Sequence, residues 1–490
     1  MICSDKFYEY FLGEFARSEG HKSGEFFTPR SVVRLMVEII EPHGGKVFDP
    51  ACGSGGRFVQ SAHFIEEHRK ELSKGEDSSV YVYGVEKVLE TANLAKMNLA
   101  VNGLRGDIKK GITYYDDPFN SFGAFDYVLA NPPFNVDDVS LNRVEKDRRF
   151  STYGIPRKKS KAKKKDKGKE TAPNANYLWI NLFATSLKPK GRAALVMANS
   201  ASDAGHSESE IRRRLIENNL IYCMLTLPSN MFYTVTLPAT LWFFDKAKID
   251  DRILFIDTRN IFTQIDRAHR EFSEEQIQNI AIISQLHKGR REKFVRLVDS
   301  YFAKGMERLV ENQKTVEAVS VQLLEVLEDD AGKQAVSELV EQWSALDKLQ
   351  SRYAGYRDKD ADEKSVDAKN KAQHQLREEF DPFFVALHEA LKQLDKTVRQ
   401  HERRQVQHAQ HDGKRGAIDR KTRMFRTALE ELHREVKHAE IFYQHIHWLQ
   451  ERFPKGRIRG RDRPMQAGEP SGPKERGLLT ESRALCRHRD

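Results

Sequence analysis

The 490-residue sequence has four cysteines, and Cys3, Cys52, Cys223 and Cys486 lie far apart, with no C-x-x-C pair and no histidine at ligand spacing. That scatter excludes a disulfide framework and a thiolate metal site, and makes a reducing cytosol the expected compartment. No window approaches the roughly 18 apolar residues that a membrane span requires. Nor does a basic segment followed by a sustained apolar stretch open the chain. A cytoplasmic protein with no membrane segment and no bound metal is expected. A strong charge imbalance is also lacking, since 81 Lys and Arg stand against 72 Asp and Glu. Nine basic residues and one Asp fall between Arg157 and Lys169, so a single run supplies nearly all of the excess. Such a run reads as a surface loop, either merely solvated or touching phosphates, where it would position a duplex without reading its sequence.

At roughly 150 residues per domain, the length allows about two to three folded units. From Phe26 to about Asp257, short β-rich runs alternate with helical patterns, which is the signature of an α/β protein with a parallel sheet. The strand candidates are KVFD ending at Asp49, VYVYG ending at Gly84, ITYY ending at Tyr115 and DYVLA ending at Ala130, followed by AALVM, YCMLTL, LWFF and ILFID. An amphipathic helix is expected over Ser31 to Ile40, where Val33, Val37 and Ile40 recur at helical spacing. After about Phe262 glycine thins out, charge rises and long helical periodicity takes over. Phe384, Leu387, Leu391, Leu394 and Val398 step by three and four like a coiled-coil seam, buried either within this chain or against a partner. The expected organisation is a core over 1–260, a connecting segment over 261–300, a helical partner-docking region over 301–453 and a basic irregular tail over 454–490.

Three elements carry chemistry. FDPACGSGG, Phe48 to Gly56, places a glycine-rich turn after a strand, where the backbone can approach a ligand closely. Asp49 orients that turn, and Gly53, Gly55 and Gly56 remove side chains from it. A packing turn of the same composition is the plain alternative. Glu86, just past the next strand, suits a carboxylate accepting from both hydroxyls of a ribose, with a surface acid as its plain reading. The most specific element is Asn131-Pro132-Pro133-Phe134, at the carboxyl end of the DYVLA strand. Two prolines stiffen the turn and remove two N–H donors. The Asn131 side-chain oxygen and a proline carbonyl are left to accept from an exocyclic NH2, and Phe134 offers a face for stacking a planar ring. Such hydrogen bonding localises the nitrogen lone pair toward an incoming methyl group. No covalent nucleophile is needed, and no Pro-Cys pair occurs, since Cys52 follows Ala51 and Cys223 follows Tyr222.

With GEFFTPR at Gly24 to Arg30, these elements resemble the modification (methyltransferase) subunit of type I restriction-modification systems, in the family's order of blocks. The blocks NYLWINLFATSLKPKGRAALVMAN and LTLPSNMFYTVTLPATLWFF are similar to that family as well, and the resemblance runs from about Phe7 to Pro454. It implies a Rossmann-like, seven-stranded S-adenosylmethionine-dependent methyltransferase sheet with a C-terminal helical, coiled-coil-like region, and an adenine-N6 target in double-stranded DNA. Carried over by motif, Glu25, Phe26, Phe27, Thr28, Pro29 and Arg30 lie along the cofactor. Asp49, Ser54, Gly55, Gly56 and Glu86 complete its pocket, and Asp116, or Asp117 in its place, faces the cofactor's adenine. Asn131, Pro132, Pro133 and Phe134 are the catalytic set. The implied partners are a specificity subunit that chooses the site and docks on the C-terminal helices, a second copy of the modification subunit, and an ATP-consuming restriction subunit. No GxxxxGK[ST] loop occurs in this chain itself. Other planar NH2 groups, in RNA guanine or a glutamine side chain, would suit the same motif. A non-catalytic DNA-binding or assembly module is the alternative of a different class, separated by its lack of cofactor affinity.

The sequence departs from that family at three places. A helical domain usually precedes the FTPR block, and here only about two dozen residues do, which bears on duplex binding. Arg57 stands after the glycine turn where the family usually has an apolar residue, so altered packing of the turn is expected. Beyond Pro454 the chain becomes rich in Arg, Gly and Pro, as a disordered tail or the product of a one-base frameshift near Gly456 would be.

Overall fold

The computed structural model describes residues 28–68, 79–137, 139–157, 170–232, 238–267, 269–327, 329–359, 365–411, 420–458 and 479–483. The chain divides between Ser284 and Gln285 into an α/β unit, which also includes the residues from Glu469 onward, and a helical unit ending at Gly468. The division falls inside the segment expected as a connector.

The strands of the α/β unit are β1 (Gly45–Asp49), β2 (Val80–Glu86), β3 (Arg105–Lys110), β4 (Phe125–Ala130), β5 (Leu187–Ala198), β6 (Ile221–Thr226), β7 (Ala239–Asp245), β8 (Arg252–Asp257), the short pair β9 (Thr263–Gln264) and β10 (Arg270–Glu271), and β11 (Leu479–Arg483). The main sheet has the order β3-β2-β1-β4-β5-β7-β6-β8-β11. All neighbours from β3 to β5 are parallel, as are β6 and β8, while β7 runs against both β5 and β6 and β11 runs against β8. The sheet is mostly parallel, as expected, but β7 is reversed within it, and β8 and β11 extend it at one edge beyond the seven strands that the resemblance implied. Central β4 reads as an almost unbroken apolar run because helices cover both faces of a parallel sheet, and Val128, Leu129 and Ala130 are fully buried.

Two expectations are corrected. Ile112 to Tyr115 form a turn, closed by Tyr115 N–H donating to the Ile112 carbonyl at 2.7 Å, and the third strand is Arg105–Lys110 upstream of it. That strand has one neighbour, so only Ile108 among its side chains is buried and the charged residues around it erase the apolar signal. In the tail expected to be irregular, residues 479–483 pair with β8, whose outer edge offers unclaimed N–H and C=O groups to a further strand.

The helices flanking the sheet are α1 (Arg30–Ile40), α2 (Gly56–His68), α3 (Leu89–Val101), the short α4 (Leu141–Val144) and α5 (Arg148–Ser151), α6 (Asn176–Ser186), α7 (His206–Glu217) and α8 (Glu274–His287). α1 covers the predicted Ser31–Ile40 stretch and stops where Glu41 turns left-handed, at φ 50°, with its N–H on the Val37 carbonyl. Every residue of α6 is buried, so it is a core helix rather than an amphipathic one.

The helical unit contains α9 (Arg291–Val326), α10 (Asp330–Lys359), α11 (Val366–His411) and α12 (Arg420–Arg452). Helix α9 packs mainly on α12, and α10 on α11. Long helix therefore begins ten residues before the expected start at 301, because the connector's last third already carries helical periodicity. The Phe384, Leu387, Leu391, Leu394 and Val398 seam is buried within this chain, with Phe384 stacked on Tyr443 at 4.7 Å and neighbouring Phe383 facing Trp343 at 6.2 Å. Of the two readings of that seam, intrachain packing is the one observed.

Candidate active site

β1 delivers Asp49, completely buried, to the carboxyl edge of the sheet. Its Oδ1 accepts from Ala51 N–H at 3.0 Å and starts the turn, while Gly53 (φ 54°) and Gly55 (φ 83°) take left-handed conformations that favour glycine. A Cβ added at Gly53 or Gly56 would meet nothing within 4 Å, so the turn's backbone borders open space. Three side chains fasten the turn from outside. Glu86, at the end of β2, accepts from Gly53 N–H through Oε2 and from Val88 N–H through Oε1, both at 3.0 Å. Asn98 of α3 donates Nδ2 to the Ser54 carbonyl at 2.9 Å. Thr113, in the turn after β3, donates its hydroxyl to the Pro50 carbonyl. Burial together with the charges of Asp49 and Glu86 pushes the Cys52 thiol well above its usual range, so this cysteine is a packed apolar group rather than a nucleophile.

Asn131 to Phe134 follow β4, the parallel neighbour of β1 on the side where the strand order reverses. Both motifs thus emerge on the same edge, at the crevice where open α/β sheets take ligands. Asn131 donates Nδ2 to Thr28 Oγ1 at 2.9 Å, which turns Oδ1 to the opposite side of the amide. Pro132 is buried, and Pro133 and Phe134 are half-buried, Phe134 against the apolar core. The loop beyond is pinned by a reciprocal pair: Asn135 N–H donates to Asn176 Oδ1 at 2.9 Å and Asn176 Nδ2 to Asn135 Oδ1 at 2.8 Å. Asn176 opens helix α6, so a helix buried along its whole length holds this loop.

Of the FTPR block, Thr28 is buried, Pro29 caps α1 and Arg30 is its exposed first residue. Glu25, Phe26 and Phe27 lie outside the described residues. Asp116 is exposed and accepts from Ile112 N–H at 2.7 Å, in the turn beyond β3. Asp117 is engaged differently, taking Ser121 N–H on both oxygens at 2.9 and 3.0 Å and facing Arg149 at 3.6 Å. Of the basic run only Arg157 is described, and it pairs with Glu145 at 2.9 Å and Glu170 at 3.3 Å.

Arg57 does not disturb the turn as the sequence led us to expect. It is buried, with Nε on Asp49, Nη2 on the Ala51 carbonyl at 2.9 Å and Nη1 on Thr28 Oγ1 at 3.2 Å. Burial pushes the Asp49 carboxyl up, against the opposing pull of this guanidinium. Asn98, Thr113 and Asn176 are the participants that motif reading missed, and Arg57 is one that it noted only as a departure. Among the described residues there is no cluster of three potential metal ligands and no helix long and apolar enough to cross a membrane.

The family model described as N-6 DNA Methylase matches residues 4–307. The MjaIX type I restriction enzyme methylase subunit of Methanocaldococcus jannaschii is 40% identical over 280 residues, covering 56% of this chain and 47% of that protein. The HindI type I restriction enzyme methylase subunit of Haemophilus influenzae is 38% identical over 277 residues, covering 56% and 58%. The chain spans about half the length of these curated relatives. A solved methyltransferase subunit of a type I restriction-modification system from Streptococcus thermophilus aligns with a TM-score of 0.47 at 24% identity, over 57% of this chain and 56% of that one. Because the family match takes in more than half of its residues, the chain belongs to the N-6 DNA methylase family.

Proposed function

We propose that this chain transfers the methyl group of S-adenosylmethionine to the N6 amino group of adenine in DNA, as the modification subunit of a type I restriction-modification complex. One observation carries the reading: the glycine turn after β1 and Asn131–Phe134 after β4 leave neighbouring parallel strands at the point where the sheet order reverses. S-adenosylmethionine, when bound, supplies a methyl group on a cationic sulfur. The open space over Gly53 and Gly56 fits a ligand lying against bare backbone. Asp49, Ser54, Gly55, Gly56 and Glu86 would hold it, together with Thr28, Pro29, Arg30 and Asp116, and with Glu25, Phe26 and Phe27 ahead of them. Each Glu86 oxygen takes one backbone N–H and keeps a further lone pair for a ribose hydroxyl.

On the acceptor side, Asn131 Oδ1 and the Pro132 carbonyl accept the two N–H groups of the adenine amine. Held this way, the nitrogen lone pair leaves its conjugation with the ring and points across the gap. Pro132 and Pro133 keep those acceptors fixed, and stacking of the base on Phe134 contributes about 1–3 kcal/mol. The base must first leave the duplex, which costs a few kcal/mol that contacts elsewhere on the DNA offset. Those contacts and the choice of site fall to a specificity subunit, flanked by a second copy of this chain and joined by a restriction subunit, in the cytoplasm. The helical unit is the docking element in this reading. Its Phe384–Val398 seam is consumed internally, so docking uses its other faces.

Calorimetric titration with S-adenosylmethionine, followed by methyl transfer to DNA with the specificity subunit present, tests the reading. Asn131→Ala and Phe134→Ala should each lower transfer by about 10²–10³-fold or more while the cofactor Kd stays within about twofold. Loss of cofactor binding in both variants means that the target pocket lies elsewhere. Absence of cofactor binding by the unaltered chain overturns the proposal.

A further inference from the structure

Arg57 joins three segments that the sequence keeps far apart. Through Nε and Nη2 it holds the end of β1 and the start of the glycine turn, at Asp49 and the Ala51 carbonyl. Through Nη1 it reaches Thr28, ahead of α1, and the same hydroxyl oxygen accepts from Asn131, the first residue after β4. One guanidinium and one hydroxyl therefore connect the cofactor side of the crevice with its acceptor side. Both side chains are buried, at 9% and 8% exposure, so water does not compete for these bonds. A planar fork of donors fixes the distances among its partners as a flexible chain cannot. An apolar residue in its place would fill the volume, yet would leave Asp49 unpaired and Thr28 without the bond that holds it.

We propose that Arg57 is a positioning residue which, through Thr28, sets the distance between the glycine cradle and Asn131, and so the gap across which the methyl group passes. The inference rests on the function proposed above. It assigns Arg57 no contact with cofactor or base; the residue acts through Asp49, Ala51 and Thr28. The effect belongs in kcat, because a displacement of about 1 Å between reacting groups costs on the order of 10²-fold in rate even when both partners still bind.

The test compares the full unaltered chain with Thr28→Val, Arg57→Lys and the double variant, by amide hydrogen exchange, by S-adenosylmethionine titration and by transfer kinetics with the specificity subunit. Thr28→Val keeps the shape of the side chain and the Arg57 bonds to Asp49 and Ala51. It should leave exchange over 49–56 unchanged, speed exchange over 128–136, and lower kcat by about 10–100-fold. Arg57→Lys keeps a cation opposite Asp49 but lacks the fork, and should speed exchange over both 28–33 and 128–136. The two kcat effects should be non-additive in the double variant, since both break one linkage. If Arg57→Lys alters exchange over 49–56 alone, or Thr28→Val leaves both kcat and the 128–136 exchange unchanged, the positioning role is wrong. Asn131→Ala is run alongside. Absence of transfer by the unaltered chain overturns the proposed function, whereas a large loss in Asn131→Ala beside a silent Thr28→Val overturns this inference alone.

Discussion

The two units bury polar side chains to different ends. In the helical unit, Asn312 Nδ2 donates to the Glu435 carbonyl at 2.9 Å, Gln373 Nε2 to the Val295 carbonyl at 2.7 Å and Asn370 Nδ2 to the Pro454 carbonyl at 2.8 Å. Each ties one segment to another, and Gln373 Nε2 also donates to Asp299 at 2.7 Å, within the same bundle. In the α/β unit, Thr28, Asp49, Arg57 and Glu86 converge on one edge of a sheet, beside glycines that border open space. The difference comes from the backbone. A long helix satisfies its own N–H and C=O groups, so a buried polar side chain has only packing to serve. Where parallel strands end, the chain changes direction and leaves such groups unclaimed, and side chains and ligands are recruited to them.

That contrast should appear in how each unit fails. The largest effect is expected for Arg57→Met, which leaves Asp49 buried without its cation and should destabilise the α/β unit by about 3–5 kcal/mol at neutral pH. Burial already holds the folded-state pKa of Asp49 above the ordinary 3.8, and removing Arg57 raises it further. A carboxyl with a raised folded pKa is penalised above that pKa and not below its unfolded value. The deficit should therefore shrink as pH falls toward 4, and denaturant titrations at pH 4 and pH 7 check it. A deficit independent of pH would break the comparison on the α/β side. Leu394→Ala, in the fully buried seam of α11, should cost about 2–5 kcal/mol in the helical unit, with little pH dependence and no change in cofactor Kd. A shift in that Kd would break the comparison on the helical side. Gly84→Ala should be the smallest, about 1–3 kcal/mol by thermal unfolding. Its Cβ would lie 2.5 Å from Ile108 Cδ1 and 2.8 Å from Cys52 Sγ, so a weaker cofactor Kd should accompany it.

The architecture was legible because burial leaves a pattern in sequence. Runs buried on both faces, such as Phe125–Ala130, and the three-and-four steps from Phe384 to Val398 are visible without coordinates. The strand that escaped notice, Arg105–Lys110, is the one whose edge position exposes most of its side chains. The candidate site was legible to the extent that its residues sit in contiguous motifs. Asn98 and Asn176 were not, because each acts on a partner more than forty positions away, and the backbone groups they bind, the Ser54 carbonyl and the Asn135 N–H, say nothing of residue type. Arg57 was noticed for the wrong reason. A cation after a glycine turn looks like a defect until Thr28, 29 positions earlier, is brought beside it.

The reversed strand β7 bears on how the chain is made. Both neighbours of β6 in the sheet, β7 and β8, come later in the chain, while β5, which precedes it, pairs with β7 instead. During synthesis β6 therefore emerges with nothing to pair with, and the outer side of β5 stays open until residues 239–245 arrive to fill the slot between them. Two apolar edges wait on one hairpin-like insertion. A nascent chain that ends before Ala239 leaves both edges unpaired, which favours association with other chains.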